Sequence, residues 1–271
     1  MKPEDPGSEI TYRHQFKAGN VGDVWKHVAL GLLGEAALCG PGPHRVLETH
    51  AGAGRYTLDS TGEWTAGIGR LDATQPLPEV LRRYHEAAGR RQVNRGGWYP
   101  GSPRFLRSFL KGDDRLTLVE LLEEPRRTLE LHFADDPLVQ VQGGDGLAVL
   151  AHSRIDLAFI DPPYVEPSEW ERVSTAAIGA SQAGARVAIW YPIKALTRPA
   201  GLQNRIRAAG VKALAVDLIT GDLEKKKKAL AGSGMLVTRP PPGLAQRWAE
   251  AAAALGPILA EGSWSVRIQA W

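Results

Sequence analysis

Apolar residues along the chain gather in short, β-branched-rich runs at 45–48, 116–119, 139–141, 155–160, 186–190, 213–219 and 235–238. Runs of this length without helical spacing read as buried strands. Between most of them lie segments with apolar residues at helical spacing, such as 126–133, 168–180 and 203–209. Strand alternating with helix predicts an α/β protein, a doubly wound parallel sheet covered on both faces. In such a sheet, ligands are expected beyond the carboxyl ends of the strands.

One interval breaks the rhythm, because the gap from the first run to Leu116 is far longer than a single crossover helix needs. Within it, Pro78 opens a stretch with Val80, Leu81, Tyr84, Ala87 and Ala88 on a helical stripe. A small helical insertion is therefore predicted over residues 57–97, inside a main domain of 12–271. Ahead of the first strand, Asp23 is placed to cap a helix whose Val24, Val28 and Leu32 share a face. Residues 1–11 are acidic and proline-bearing, which predicts a loose tail.

Composition narrows the picture. A single cysteine in 271 residues excludes an internal disulfide framework, and Cys39 is expected to be a small core residue. Residues 28–39 are too short and carry Glu35, so no membrane span is expected, and nothing in the opening residues resembles a signal peptide. A cytoplasmic protein follows. Formal net charge is +3, which permits a nucleic-acid partner without establishing one. Residues 57–111 hold nine lysines and arginines against five acids, a candidate phosphate-facing surface or simply a solvated basic one. The run Lys225 to Lys228 is open to the same two readings and is left out of the site. The histidines lack paired zinc-ligand spacing, so no metal is expected.

The chemistry-bearing residues sit where the strands end. After the first come Gly52 and Gly54, which let a backbone approach a ligand closely. Thr57 stands where a dinucleotide fingerprint would want a third glycine, so a ligand without phosphates fits better. Glu120 ends the second strand, where α/β nucleotide folds hold ribose hydroxyls, and Asp145 follows the third, where a carboxylate can accept a hydrogen from an adenine amino group. Asp161-Pro162-Pro163-Tyr164 closes the fourth, the prolines stiffening the exit. Trp190, Trp264 and Trp271 read as packing residues.

Together these elements resemble the S-adenosylmethionine-dependent amino methyltransferases. The wider set, Tyr12 to Asn20, Asp23 to His27, Thr49 to Tyr56, Tyr99 to Pro103, Asp161 to Tyr164, Trp190 to Pro192 and Ser233 to Met235, resembles the bacterial 23S ribosomal RNA adenine-N6 methyltransferase J family (RlmJ-like). That resemblance implies a Rossmann-like class I methyltransferase with a small helical insertion after the first core strand. It implies S-adenosyl-L-methionine near Lys26, His27, His50, Gly52, Ser102, Glu120, Asp145 and Gly146, with Asp161, Pro162 and Tyr164 catalytic. Tyr12 and His14 would face 23S ribosomal RNA, the target adenine flipped into the site of a monomer. The chain departs from the family pattern at Val21-Gly22 and at 238–243, neither of which touches Asp161. The alternatives are the same chemistry on DNA adenine or protein glutamine, and a non-catalytic RNA-binding assembly factor.

Overall fold

The computed structural model describes residues 14–58, 61–74, 76–88, 97–224 and 230–271. It opens with α1 (His14–Lys17) and α2 (Val21–Leu38). Asn20 caps α2, its side-chain oxygen accepting the Asp23 N–H at 3.0 Å, while one Asp23 oxygen accepts the Gly19 N–H at 2.9 Å. Asp23 is thus not the cap but the third residue of the helix in a reciprocal pair, much like a capping box. Its other oxygen is left for Lys26. Cys39 is exposed rather than part of the core, because the last buried position of α2 is Leu38.

β1 (Arg45–Glu48) enters the sheet, and β2 (Arg55–Thr57) follows. A 3-10 turn (Glu63–Ala66), α3 (Ile68–Ala73) and α4 (Glu79–Ala87) lead to β3 (Trp98–Pro100), which pairs antiparallel with β2. Ile68, Leu71 and Leu81 from these helices join the core beside α2, and the Arg70 guanidinium donates to the Leu259 carbonyl at 2.6 Å. Then come α5 (Ser102–Arg107), β4 (Arg115–Glu120), α6 (Glu123–His132), β5 (Val139–Gly143), α7 (Gly146–Ala151) and β6 (Leu157–Ile160). The chain continues through α8 (Glu169–Gln182), β7 (Arg186–Ile193), α9 (Thr197–Ala208), β8 (Ala213–Ile219), β9 (Gly232–Thr238), α10 (Leu244–Leu259) and β10 (Ser265–Ala270).

Eight strands form the main sheet in the order β10-β8-β9-β7-β6-β1-β4-β5. From β7 to β5 all neighbours are parallel, but β9 runs antiparallel to both β7 and β8, and β10 antiparallel to β8. The sheet is therefore mostly parallel, not wholly so. No crossover helix is described between β8 and β9, so they pair as neighbours running in opposite directions.

Both faces are covered. Leu116, Leu118 and Phe159 point toward α2 and α10, where Trp25 and Trp248 are fully buried; Leu47, Val119 and Ile160 point toward α7, α8 and α9. Burial on both sides explains why the strands read as continuous apolar runs rather than alternating ones. The chain leaves β1 for β4 and β5 on one side, then returns to β6 on the other, making the β1/β6 boundary the switch point at which such sheets open a crevice. Among the described residues no helix is long and apolar enough to cross a membrane.

Candidate functional site

The crevice is built on the turn after β1. Thr49 N–H donates to the Phe159 carbonyl and Ala51 N–H to the Val119 carbonyl, both at 3.0 Å, tying the turn to the two strands beside β1. Gly52 and Gly54 have φ of 60° and 68°, and a Cβ on Gly52 would lie 2.1 Å from the Tyr56 hydroxyl. Only glycine fits there.

Two acids frame this turn. The Glu120 carboxylate accepts the Gly52 N–H through one oxygen and the Leu122 N–H through the other, each at 2.8 Å. It is thereby fixed, with lone pairs left for hydroxyl donors. Asp145 caps α7, one oxygen accepting the Leu147 N–H at 3.0 Å and the other pairing with Arg172 of α8. Gly146 abuts the turn so closely that a Cβ would sit 2.0 Å from the Thr49 carbonyl oxygen.

At the end of β6, Lys26 crosses from α2 to Asp161. Its ammonium, 5 % exposed, lies 2.8 Å from Asp161 Oδ2 and 2.6 Å from Asp23 Oδ1. Burial alone would lower the Lys26 pKa, but Asp161 and Asp23 outweigh it and hold the group above the ordinary lysine range. Asp161 Oδ1 has no hydrogen-bond partner among the described residues. Pro162 is buried behind it. Tyr164 takes a left-handed backbone, φ 51°, its hydroxyl donating to the Trp190 carbonyl at 2.9 Å and its ring 4.4 Å from that of Trp170. For a bulky residue this conformation is uncommon, and the contacts with Trp170 and the Trp190 carbonyl hold it. Trp190 does pack, but it packs at the site, with Lys26 Nζ 5.4 Å from its ring.

Glu48, the last residue of β1, is fully buried in the same place and was not singled out by its sequence context. One oxygen accepts the Ser102 hydroxyl; the other is buried with no partner among the described residues. Burial foremost, opposed by the Ser102 hydrogen bond and aided by the charge of Asp161, pushes its carboxyl up to about 8. At neutral pH it is mainly a protonated acid. The available signal was a charged residue closing an otherwise apolar run immediately before the glycine turn.

His50 and His27 flank these groups differently. The Thr49 hydroxyl donates its one proton to the Phe159 carbonyl at 3.2 Å, so at 2.7 Å it accepts from His50 Nδ1. That leaves His50 Nε2 as an acceptor, and burial lowers its pKa more than Asp161 and Asp145 raise it. His27, 2 % exposed, bonds the Tyr99 hydroxyl through Nδ1 at 2.8 Å and stacks on Phe105 at 4.5 Å. Tyr12 and Lys225 to Lys228 lie outside the described residues, and His14 lies in α1 with its side chain outside them.

The group implied by the resemblance fits this donor set. S-adenosyl-L-methionine carries an adenine amino group, ribose hydroxyls and an amino-acid end, against which stand Asp145, Glu120, and the unsatisfied Glu48 beside Lys26 and Ser102. The glycine turn leaves the backbone open to it.

Known proteins resemble this chain along most of its length. A family described as ribosomal RNA large subunit methyltransferase D, RlmJ, matches residues 42–270. The ribosomal RNA large subunit methyltransferase J of Escherichia coli (strain K12) is 34% identical over 254 residues, covering 88% of this chain and 90% of that protein. Its namesake in Haemophilus influenzae is 32% identical over 277 residues, covering 95% and 98%. A crystal structure of a Legionella pneumophila protein superposes with a TM-score of 0.86 at 27% identity, covering 93% of this chain and 98% of that one. On a match that spans most of its length, the chain belongs to the RlmJ family of ribosomal RNA large subunit methyltransferases.

Proposed function

We propose that this protein methylates the exocyclic N6 of an adenine in 23S ribosomal RNA, as a cytoplasmic monomer acting on a flipped base. The observation that carries this reading is the division of labour between the two oxygens of Asp161: Lys26 holds one, and the other has no partner among the described residues.

An adenine amino nitrogen is a poor nucleophile because its lone pair is delocalised into the ring. Acceptors for both amino hydrogens draw that pair back onto nitrogen. Asp161 Oδ1 takes one hydrogen, and the Pro162 carbonyl, in a backbone stiffened by the proline pair, takes the other. Tyr164, held by Trp170 and the Trp190 carbonyl, supplies an aromatic surface for an extruded base. S-adenosyl-L-methionine, when bound, supplies the methyl group. Glu120 and Asp145 would hold its nucleoside, and Lys26, His27, His50 and Ser102, with the backbone at Gly52 and Gly146, its remainder. Tyr12 and His14 belong to the RNA side.

The test incubates the purified protein with methyl-labelled S-adenosyl-L-methionine and unmodified, protein-free 23S ribosomal RNA, then identifies the labelled nucleoside after digestion. N6-methyladenosine in one fragment is expected. Label in a different nucleoside would overturn the adenine assignment, and full activity in Asp161→Ala would remove the mechanism.

A further inference from the structure

Arg55 follows Gly54 directly as the first residue of β2, and Trp98 opens its partner β3. The Arg55 guanidinium lies 4.4 Å from the centre of the Trp98 ring, and the guanidinium of Arg104, from α5, lies 5.3 Å from the same ring and 5.6 Å from Phe133. Two cations share one indole. Neither is in an ion pair among the described residues, whereas Arg107, Arg126 and Arg127 pair with Asp136, Glu130 and Glu123. Arg104 Nε is buried without a hydrogen-bond partner among those residues, and burial followed by the charge of Arg55 lowers the Arg104 pKa.

Cation–π attraction offsets part of the repulsion between like charges, but it does not satisfy a buried N–H. The two charges, unpaired among the described residues, call for an anion with oxygen acceptors, which would meet the terminal nitrogens of the guanidinium groups and not the buried Nε. Guanidinium groups match phosphate oxygens in planar, bidentate fashion. The cluster also sits on the rim of the crevice: Gly101 N–H donates to the Gly54 carbonyl at 3.1 Å, and Ser102, two residues before Arg104, bonds Glu48.

We propose that Arg55 and Arg104, stacked about Trp98, form a phosphate clamp that holds the backbone of the substrate RNA beside the methyl-transfer crevice. This rests on the reading of the protein as an RNA methyltransferase. The clamp positions the strand and carries no base preference, as phosphate contacts do.

The experiment measures binding of a labelled, protein-free 23S ribosomal RNA fragment across a series of salt concentrations, for the wild type and for Arg55→Gln/Arg104→Gln. The slope of log affinity against log salt should shrink by about 0.7 to 0.9 for each phosphate that the variant no longer neutralises, with S-adenosyl-L-methionine affinity by calorimetry unchanged. Arg55→Lys/Arg104→Lys should recover only part of the slope, since lysine keeps the charge but not the planar fork. An unchanged slope and affinity in the glutamine variant, with wild-type binding intact, would remove the clamp alone. Loss of cofactor affinity in that variant would move both arginines to the cofactor site and overturn the proposal. Absence of salt-dependent RNA binding by the wild type would sink the RNA reading and the clamp with it.

Discussion

Two clusters of buried polar groups occupy the same sheet and are finished differently. Beyond β1 and β6, Lys26, Glu48 and Asp161 leave one Glu48 oxygen and one Asp161 oxygen without partners among the described residues. Across β7, α9, β8 and β10 each side chain bonds the next, a set closed in the sense that its members satisfy one another. Tyr191 donates to Asp217 at 2.6 Å, Gln203 donates to the Tyr191 oxygen at 2.9 Å, and Gln269 donates to Gln203 at 2.8 Å. Buried polar groups normally find partners, so an open set at a switch point is prepared for a ligand while a closed set holds strands together. The contrast also divides the family motifs. Gly234 is glycine because a Cβ would lie 2.1 Å from the Tyr191 ring and 2.4 Å from Asp217. Tyr191 and Gly234 therefore serve the closed network, although they stand in motif blocks like those that carry the chemistry.

Removing the cation from the open cluster should have the largest effect. Lys26→Met leaves Asp23 and Asp161 facing each other in a buried place, and breaking a buried pair from one side costs about 3–5 kcal/mol. Urea denaturation should show that loss, and methyl transfer by the folded remainder should fall as well. An unchanged midpoint would mean that the cluster is far more hydrated than its burial indicates.

Next comes Glu48→Gln, which sharpens the contrast through pH. The carboxyl titrates near its ordinary 4.5 when unfolded and at about 8 when folded. Its folded pKa is raised, so the wild type is free of this penalty below pH 4.5 and loses stability as pH climbs toward 8. Glutamine cannot ionise, which removes the slope. The variant's advantage should be small at pH 5 and on the order of 3 kcal/mol at pH 7. Parallel stability curves for the two proteins would refute the buried-acid reading. In the closed cluster, Gly234→Ala should cost about 1–3 kcal/mol through overpacking. Methyl transfer per folded molecule should not change.

How much of this was legible depends on where the signal lies. Most of the seven apolar runs are strands whose burial on both faces leaves an unbroken hydrophobic signature, while the edge strand β5, only partly buried, keeps the alternation Val139-Gln140-Val141-Gln142. β2 and β3 have three residues each, too few for any period, and β10 is an edge strand with Ile268 half exposed, so its alternation is diluted. The reversal at β9 is set by the connection from β8, which strand spacing does not encode. Glu120, Asp145 and Asp161 stand out because each follows an apolar run. Lys26 meets Asp161 across 135 positions, a pairing that no local pattern could place. Glu48 closes β1 as Glu120 closes β4, and only its complete burial in the fold separates it from a surface acid at a strand end.

The smallest expected effect tests whether the two clusters are independent. Tyr191→Phe removes the donor to Asp217 and the acceptor for Gln203, leaving both buried groups short of a partner at a cost of about 1–3 kcal/mol. Burial already raises the Asp217 pKa, so the loss should ease as the pH falls and that carboxyl protonates. Methyl transfer per folded molecule should stay at the wild-type level if the closed cluster only braces the sheet. Yet Tyr191 adjoins Trp190, whose carbonyl holds the Tyr164 hydroxyl, and its ring lies 6.4 Å from Trp170, which backs Tyr164. A fall in kcat at unchanged cofactor affinity would therefore mean that the closed cluster reaches Tyr164 through β7, and the division between bracing and chemistry would have to be redrawn along that strand.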